Sequence, residues 1–157
     1  MLNSRDAAWW RSDELGAATV FEGKPGFAEL GFHVEVLQPG QPNCMYHGES
    51  DQEDFLVVSG ECIAIVEGEE RSLRAWDFVH CPPMTEHVFV GAGDGPCVII
   101  MVGARKGGGT ILYPVNDVAA KHGASVLEET PKPEEAYARF LRPERTPYRE
   151  GDLPSFP

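Results

Sequence analysis

Apolar and polar residues alternate from Ala28 to Val36, where Ala28, Leu30, Phe32, Val34 and Val36 interleave with Glu29, Gly31, His33 and Glu35. A period of two marks a strand with one buried face, because successive side chains leave a pleated strand on opposite sides. The apolar set is read as the core side. That puts His33 on the polar side, as a solvated or hydrogen-bonded residue and not a ligand. After the turn chemistry of Gln38-Pro-Gly-Gln-Pro-Asn43, further strands are predicted at 54–58, 62–67, 78–81, 87–90 and 98–102. Gly68 with its acidic neighbours predicts a hairpin turn, and Gly91-Ala-Gly-Asp-Gly95 a longer one. Short strands so often punctuated by glycine and proline predict an all-β fold, a small antiparallel barrel or jelly roll.

Past Gly103 the pattern changes. Lys106-Gly-Gly-Gly109 reads as a flexible break, and Asn116 as the cap of a short helix ending near Gly123. A second helix is predicted to start at Pro133, with Glu134 and Glu135 in its first turn, Arg139 in its last and Pro143 beyond its end. The chain thus divides into an N-terminal extension (1–26), a barrel (27–104) and a C-terminal arm with short helices (105–157). Beyond Arg142 the arm has too few apolar residues for a core of its own, so it either packs across a barrel or frays. Trp9 and Trp10 are costly to leave in water together, and burial of at least one is expected, within the subunit or at a dimer interface.

Composition narrows the partners. A chain of 157 residues fits one domain. Its longest apolar runs, such as Val98–Val102, are too short to span a bilayer. The N-terminus has no basic start and no apolar signal core, so a cytoplasmic location is expected. The four cysteines (44, 62, 81 and 97) lack CxxC spacing and are read as reduced thiols packed as small apolar groups, although Cys44 and Cys81 flank polar motifs. The net charge of −12 lies wholly within residues 1–104, with no lysine or arginine between Lys24 and Arg71. Nucleic acid is disfavoured as a partner, since neutralising phosphates needs clustered bases. A highly anionic ligand would need a metal, Arg71 or Arg74 to compensate it.

Two stretches carry the candidate chemistry: Gly40-Gln-Pro-Asn-Cys-Met-Tyr-His47-Gly-Glu49-Ser-Asp-Gln-Glu53-Asp-Phe-Leu-Val-Val-Ser-Gly60 and Trp76-Asp-Phe-Val-His-Cys-Pro82-Pro-Met-Thr-Glu-His87-Val-Phe-Val-Gly91. In order and separation they resemble the two signature motifs of the cupin superfamily. The Glu53-to-Gly60 spacing matches the end of the first motif. Counting back by its three-residue variant puts His47 and Glu49 at its two histidine positions, so glutamate replaces the second histidine. The four-residue variant would put Tyr46 and Gly48 there, and Gly48 offers no ligand. In the second motif Pro82 and His87 fall at the expected spacings, while Trp76, Met84 and Gly91 stand where the family has Gly, Gly and Asn.

The resemblance covers about residues 27–103. It implies a cupin barrel holding one divalent metal ion on His47, Glu49, Glu53 and His87. Residues two apart on a strand share a side, so His47 and Glu49 can face one interior point. Two imidazoles and two carboxylates suit Fe, Mn, Zn, Ni or Co. Glu49 is alternatively a base, Tyr46 a residue that reaches a substrate, and Gln52 a donor that orients Glu53. The expected function is a metal-dependent enzyme, of dioxygenase, isomerase or decarboxylase type, acting on a small organic molecule. The competing readings are a non-catalytic small-molecule or metal-binding module and a barrel with a vestigial site. A homodimer is expected because a single barrel of this kind exposes broad sheet faces.

Overall fold

A computed structural model describes residues 1–106 and 109–154. Gly107 and Gly108, at the centre of the expected flexible break, lie outside the described residues.

The chain begins with a hairpin of β1 (Ala8–Ser12) and β2 (Gly16–Val20), then runs through β3 (Leu30–Leu37) and the short β4 (Gly48–Glu49). Next come β5 (Glu53–Ser59), β6 (Glu61–Val66), β7 (Glu69–Arg74), β8 (Phe78–Cys81), β9 (His87–Ala92) and β10 (Cys97–Ala104). The arm holds β11 (Ile111–Leu112), α1 (Asp117–Lys121), α2 (Pro133–Ala136) and β12 (Glu144–Thr146). One antiparallel sheet has the order β12-β1-β2-β3-β10-β5-β8, and a smaller one β7-β6-β9, while β4 pairs with β11. The two sheets face each other as a jelly roll. Between them lies a core of Leu37, Phe55, Val57, Cys62, Ala64, Cys81, Phe89, Cys97, Ile99 and Met101.

Register shows which side of each strand is the lumen. On the large sheet Glu35 pairs with Ile99, which pairs with Val57. His33 pairs with Met101, which pairs with Phe55. Directly opposed residues share a face, so His33 and Glu35 point inward. Val34 and Val36 point outward instead, into a second core with Trp9, Ala17, Val98, Tyr148 and Leu153. The period of two in β3 is as expected, but its faces are reversed. The apolar side is buried at its Val36 end because the N-terminal hairpin and the tail cover that part of the outside of the barrel. The polar side faces the lumen between the two sheets.

Trp9 is fully buried and Trp10 is 43% exposed. Beyond Arg142 the arm packs on its own subunit: β12 pairs with β1, and Tyr148 lies 6.0 Å from the Trp9 ring. Asn116 caps α1 by accepting from the Val118 and Ala119 N–H groups, as its position predicts. The second helix is shorter than expected, and Arg139 lies outside it. The strand β7 has no apolar alternation to announce it, because its Glu-Glu-Arg-Ser-Leu-Arg sequence is almost wholly exposed.

Three departures from the family pattern now have structural consequences. Gly91 cannot carry a side chain, since a Cβ there would lie 2.2 Å from the Gln38 carbonyl oxygen. Trp76 and Met84 keep the left-handed backbone of the glycines they replace, at φ 76° and 66°. That conformation costs an L-residue about 1–2 kcal/mol, and Trp76, 74% exposed, recovers little by packing. Trp76→Gly is therefore expected to stabilise the fold by up to about 1 kcal/mol after the entropy cost of glycine, read as a higher midpoint in urea.

Candidate metal centre

His47 and His87 meet through the backbone. The His47 N–H donates to the His87 carbonyl at 3.2 Å, and the His87 N–H to the His47 carbonyl at 2.8 Å. This reciprocal pair aligns the two side chains on the lumen face, with ring centroids 4.9 Å apart. Each ring is then fixed by its own turn. His47 Nδ1 lies 2.8 Å from the Met45 carbonyl oxygen, and His87 Nδ1 3.0 Å from that of Thr85. A carbonyl oxygen only accepts, so both Nδ1 atoms carry a proton, and Nε2 of each ring in its neutral form presents a lone pair to the lumen.

Glu53, the first residue of β5, sits opposite. Its register partner on β10 is Gly103, whose missing side chain leaves room for the carboxylate. Glu53 Oε2 lies 3.2 Å from His87 Nε2 and 3.9 Å from His47 Nε2. It is buried and has no hydrogen-bond partner. His47, Glu53 and His87 each offer one ligand atom, all within 4.8 Å of one another. An unsatisfied buried oxygen facing two oriented lone pairs is costly unless a cation or proton joins them, so the donors fit a divalent ion. Without one, a proton takes part of that role. Burial works against charge on His87, but its interactions with Cys81 and Glu53 outweigh it and raise its pKa to about 10.

The other expected site residues fall in different places. Glu49 Oε1 is 3.6 Å from His47 Nε2 at the half-open edge of the cavity, outside the mutually close group. Its interaction with His47 holds its carboxyl below the usual carboxylate range, against an opposing effect of burial. Tyr46, alternating with His47, faces away from the donors. It is fully buried with Ile65, Val88, Val90 and Ala119 under α1, and its hydroxyl accepts from the Gly68 N–H at 2.9 Å. Gln52 donates to Asp54 at 3.1 Å and not to Glu53.

Of the site's further neighbours, Tyr113 lies outside both motifs and had no sequence signal, whereas Phe55, Cys44 and Cys81 lie within them. The Tyr113 ring lies 5.7 Å from His47, delivered by the arm after β11, and the Phe55 ring 5.0 Å from His87. Cys44 Sγ is 3.5 Å from His47 Nδ1, so Cys44 and Cys81 each abut a histidine of the group. The cation near the cavity is neither Arg71 nor Arg74, which lie exposed on β7. Arg105 lies against Gly31 at the rim, with its guanidinium bound to both Glu22 oxygens at 2.6 and 2.9 Å.

Fold and donor set together define the class. Residues 33–103 match the cupin domain model, and the chain carries a cupin domain. Among solved structures it is similar to an RmlC-like cupin from Shewanella frigidimarina NCIMB 400, at 19% identity and TM-score 0.58, over 68% of this chain and 92% of that one. It is also similar to a sugar phosphate isomerase of the cupin superfamily from Silicibacter pomeroyi DSS-3, at 22% identity and TM-score 0.55, over 62% of this chain. A third is the polyketide cyclase RemF from Streptomyces resistomycificus, at 14% identity and TM-score 0.57, over 66% of this chain and 78% of that one. The chain spans 64% of the length of the Silicibacter isomerase, less than two thirds. At these identities the likeness is one of fold. No curated protein matches the chain. Among the described residues, no helix is long and apolar enough to cross a membrane.

Proposed function

We propose that this cupin is a metal-dependent enzyme acting on a small organic molecule in the barrel, with His47, Glu53 and His87 as ligands to one divalent ion. The observation that carries the reading is the unpartnered, buried Glu53 oxygen between two imidazoles whose outer nitrogens are already anchored. A bound Mn, Fe, Zn, Ni or Co ion would supply Lewis-acid or redox chemistry at an open coordination position.

The chain's own groups do the rest. Phe55 and Phe89 form an apolar wall beside His87, with ring centroids 5.0 and 6.1 Å from it, which favours a partly apolar substrate and excludes water. Glu49, ionised and half-open, is placed to take a proton at Oε1 or to complete the ligand set. The similar proteins named for isomerase and cyclase activities act on small molecules, which agrees with this reading.

Metal analysis of protein purified without added ions, followed by turnover and oxygen-uptake assays on diketones, phenols and hydroxy-carbonyl compounds, tests it. The expected result is near-stoichiometric metal, lost in His87→Ala, with metal-dependent turnover. Metal and ligand binding without turnover would make the protein a binding module. No metal and no thermal response to added Mn, Fe, Ni or Zn would leave a vestigial site.

A homodimer through the outer face of the large sheet belongs to the same proposal. Val34, Ile100, Leu56 and Phe78 form a continuous apolar row across four strands, and Phe78 is 62% exposed. A second copy bearing the same row would cover it symmetrically. Light scattering at micromolar concentration is expected to give a dimer, and Leu56→Asp a monomer. A monomeric native protein would rule this out.

A further inference from the structure

The wall of β3 carries two polar side chains that the proposed metal chemistry leaves unused. Glu35 lies in an inward row with Ile99 and Val57, and His33 in the next row with Met101 and Phe55. Phe55 in turn touches the His87 ring, so the pair is one aromatic side chain away from the candidate centre. Glu35 is 6% exposed and makes no hydrogen bond among the described residues. Its nearest polar neighbour, His33 Nε2, is 3.8 Å from Oε2, too far for a direct bond. Oε1 lies 3.5 Å from where a Cβ on Gly16 would stand. The His33 side chain keeps 40% of its surface accessible, so the pair can be reached from solvent.

A carboxyl this buried, with only an imidazole nitrogen 3.8 Å away, is costly, and packing alone would be better served by the aliphatic residues that share its row. We propose that Glu35 and His33 form a second subsite of the lumen, which takes a hydroxyl or carbonyl oxygen of an uncharged, oxygen-rich molecule whose other end reaches His47, Glu53 and His87. This rests on reading the lumen as the ligand cavity. An oxygen about 2.8 Å from both groups fits between atoms 3.8 Å apart. A hydroxyl there accepts from one group and donates to the other.

Charge points to the same ligand class. Burial raises the Glu35 carboxyl well above the ordinary carboxylate range and lowers His33 below the ordinary imidazole range, so it favours the uncharged form of both. The charged groups that act on His33 are the carboxylates of Glu53 and Glu22, which repel an anion. Arg105, which would attract one, is held by Glu22 through two hydrogen bonds.

Ligand-observed NMR on the full-length protein tests the subsite, with dihydroxyacetone as the uncharged probe, glycolate as the anion and ethanolamine as the cation. Each is titrated without metal and again with Zn²⁺. Dihydroxyacetone is expected to bind, to weaken at least about tenfold in Glu35→Leu and to change less than about threefold in Glu35→Gln, which keeps both a donor and an acceptor. Without metal, His87→Ala is expected to preserve the contact with the His33 ring. Equal binding by Glu35→Leu, or Glu35-dependent binding of ethanolamine or glycolate in preference to dihydroxyacetone, would overturn the proposal. So would no binding of dihydroxyacetone with or without Zn²⁺, while metal uptake measured on the same samples tests the metal reading separately. If Glu35→Leu fails to fold, His33→Phe replaces it with the same expected loss.

Discussion

Adding a divalent ion at about a hundred times its dissociation constant is expected to stabilise the metal-free protein by about 2.7 kcal/mol, which raises the melting temperature of a chain this size by roughly 5–10 °C. The rise is expected to vanish in His87→Ala, because the remaining donors no longer surround one point. Glu53→Gln gives the more discriminating result. In the metal-free protein Glu53 Oε2 faces two imidazole nitrogens, and the proton that His87 holds up to about pH 10 offsets its charge. An amide at that position forfeits this charge pair but can donate to neutral His87 Nε2, so metal-free Glu53→Gln should melt only slightly below the wild-type temperature at neutral pH. Its response to metal should be largely lost, since the anionic ligand is gone. A loss that is small without metal and large with it separates a metal site from a carboxylate that is merely structural, for which Glu53→Gln would destabilise equally with or without ions. Differential scanning fluorimetry across Mn, Fe, Ni and Zn measures both.

Glu35→Gln is expected to stabilise the protein increasingly as pH rises. The native Glu35 carboxyl is held protonated by burial, whereas the unfolded one ionises near the ordinary value of 4.5. Between those two values the native state binds the extra proton, so wild-type stability falls as pH rises, by up to about 1.4 kcal/mol per pH unit from this group. The neutral glutamine removes that dependence. At pH 4 the two proteins should have similar stability. At pH 8 the variant should be clearly the more stable, read from urea midpoints at each pH. His33 and the carboxylates of Glu22 and Glu53 lie in the same region, and the difference between wild type and variant cancels their own titrations to the extent that Glu35 does not alter them. A pH-independent difference would mean that Glu35 ionises freely in the folded protein, which would also remove the charge argument for its subsite.

Much of the barrel was legible because its strands are short and bounded by residues with local meaning. Gly60 and Gly68 have positive φ and sit at the turns joining β5 to β6 and β6 to β7, and Asn116 marks the start of α1 because its side chain caps the helix. Motif spacing also placed Glu53 at the start of β5 and His87 at the start of β9. It could not place Tyr46, because being beside His47 on the chain puts it on the opposite face. Nor could it reveal Tyr113, which reaches His47 only after the arm folds back. The clearest reversal is β3. Alternation shows that a strand has two unlike faces, but the apolar face goes to whichever side is covered, and here Trp9, Tyr148 and Leu153 cover the outside.

By itself the sequence determined what local chemistry controls: where strands begin and end, which turns can close, and which side chains can donate to a cation. The tertiary structure alone decided which of those side chains meet. Convergence of His47, Glu53 and His87 depends on cross-strand pairing between residues far apart in the chain, and the turn of Glu35 and His33 toward the lumen depends on what packs behind β3. Local propensity carries no record of either.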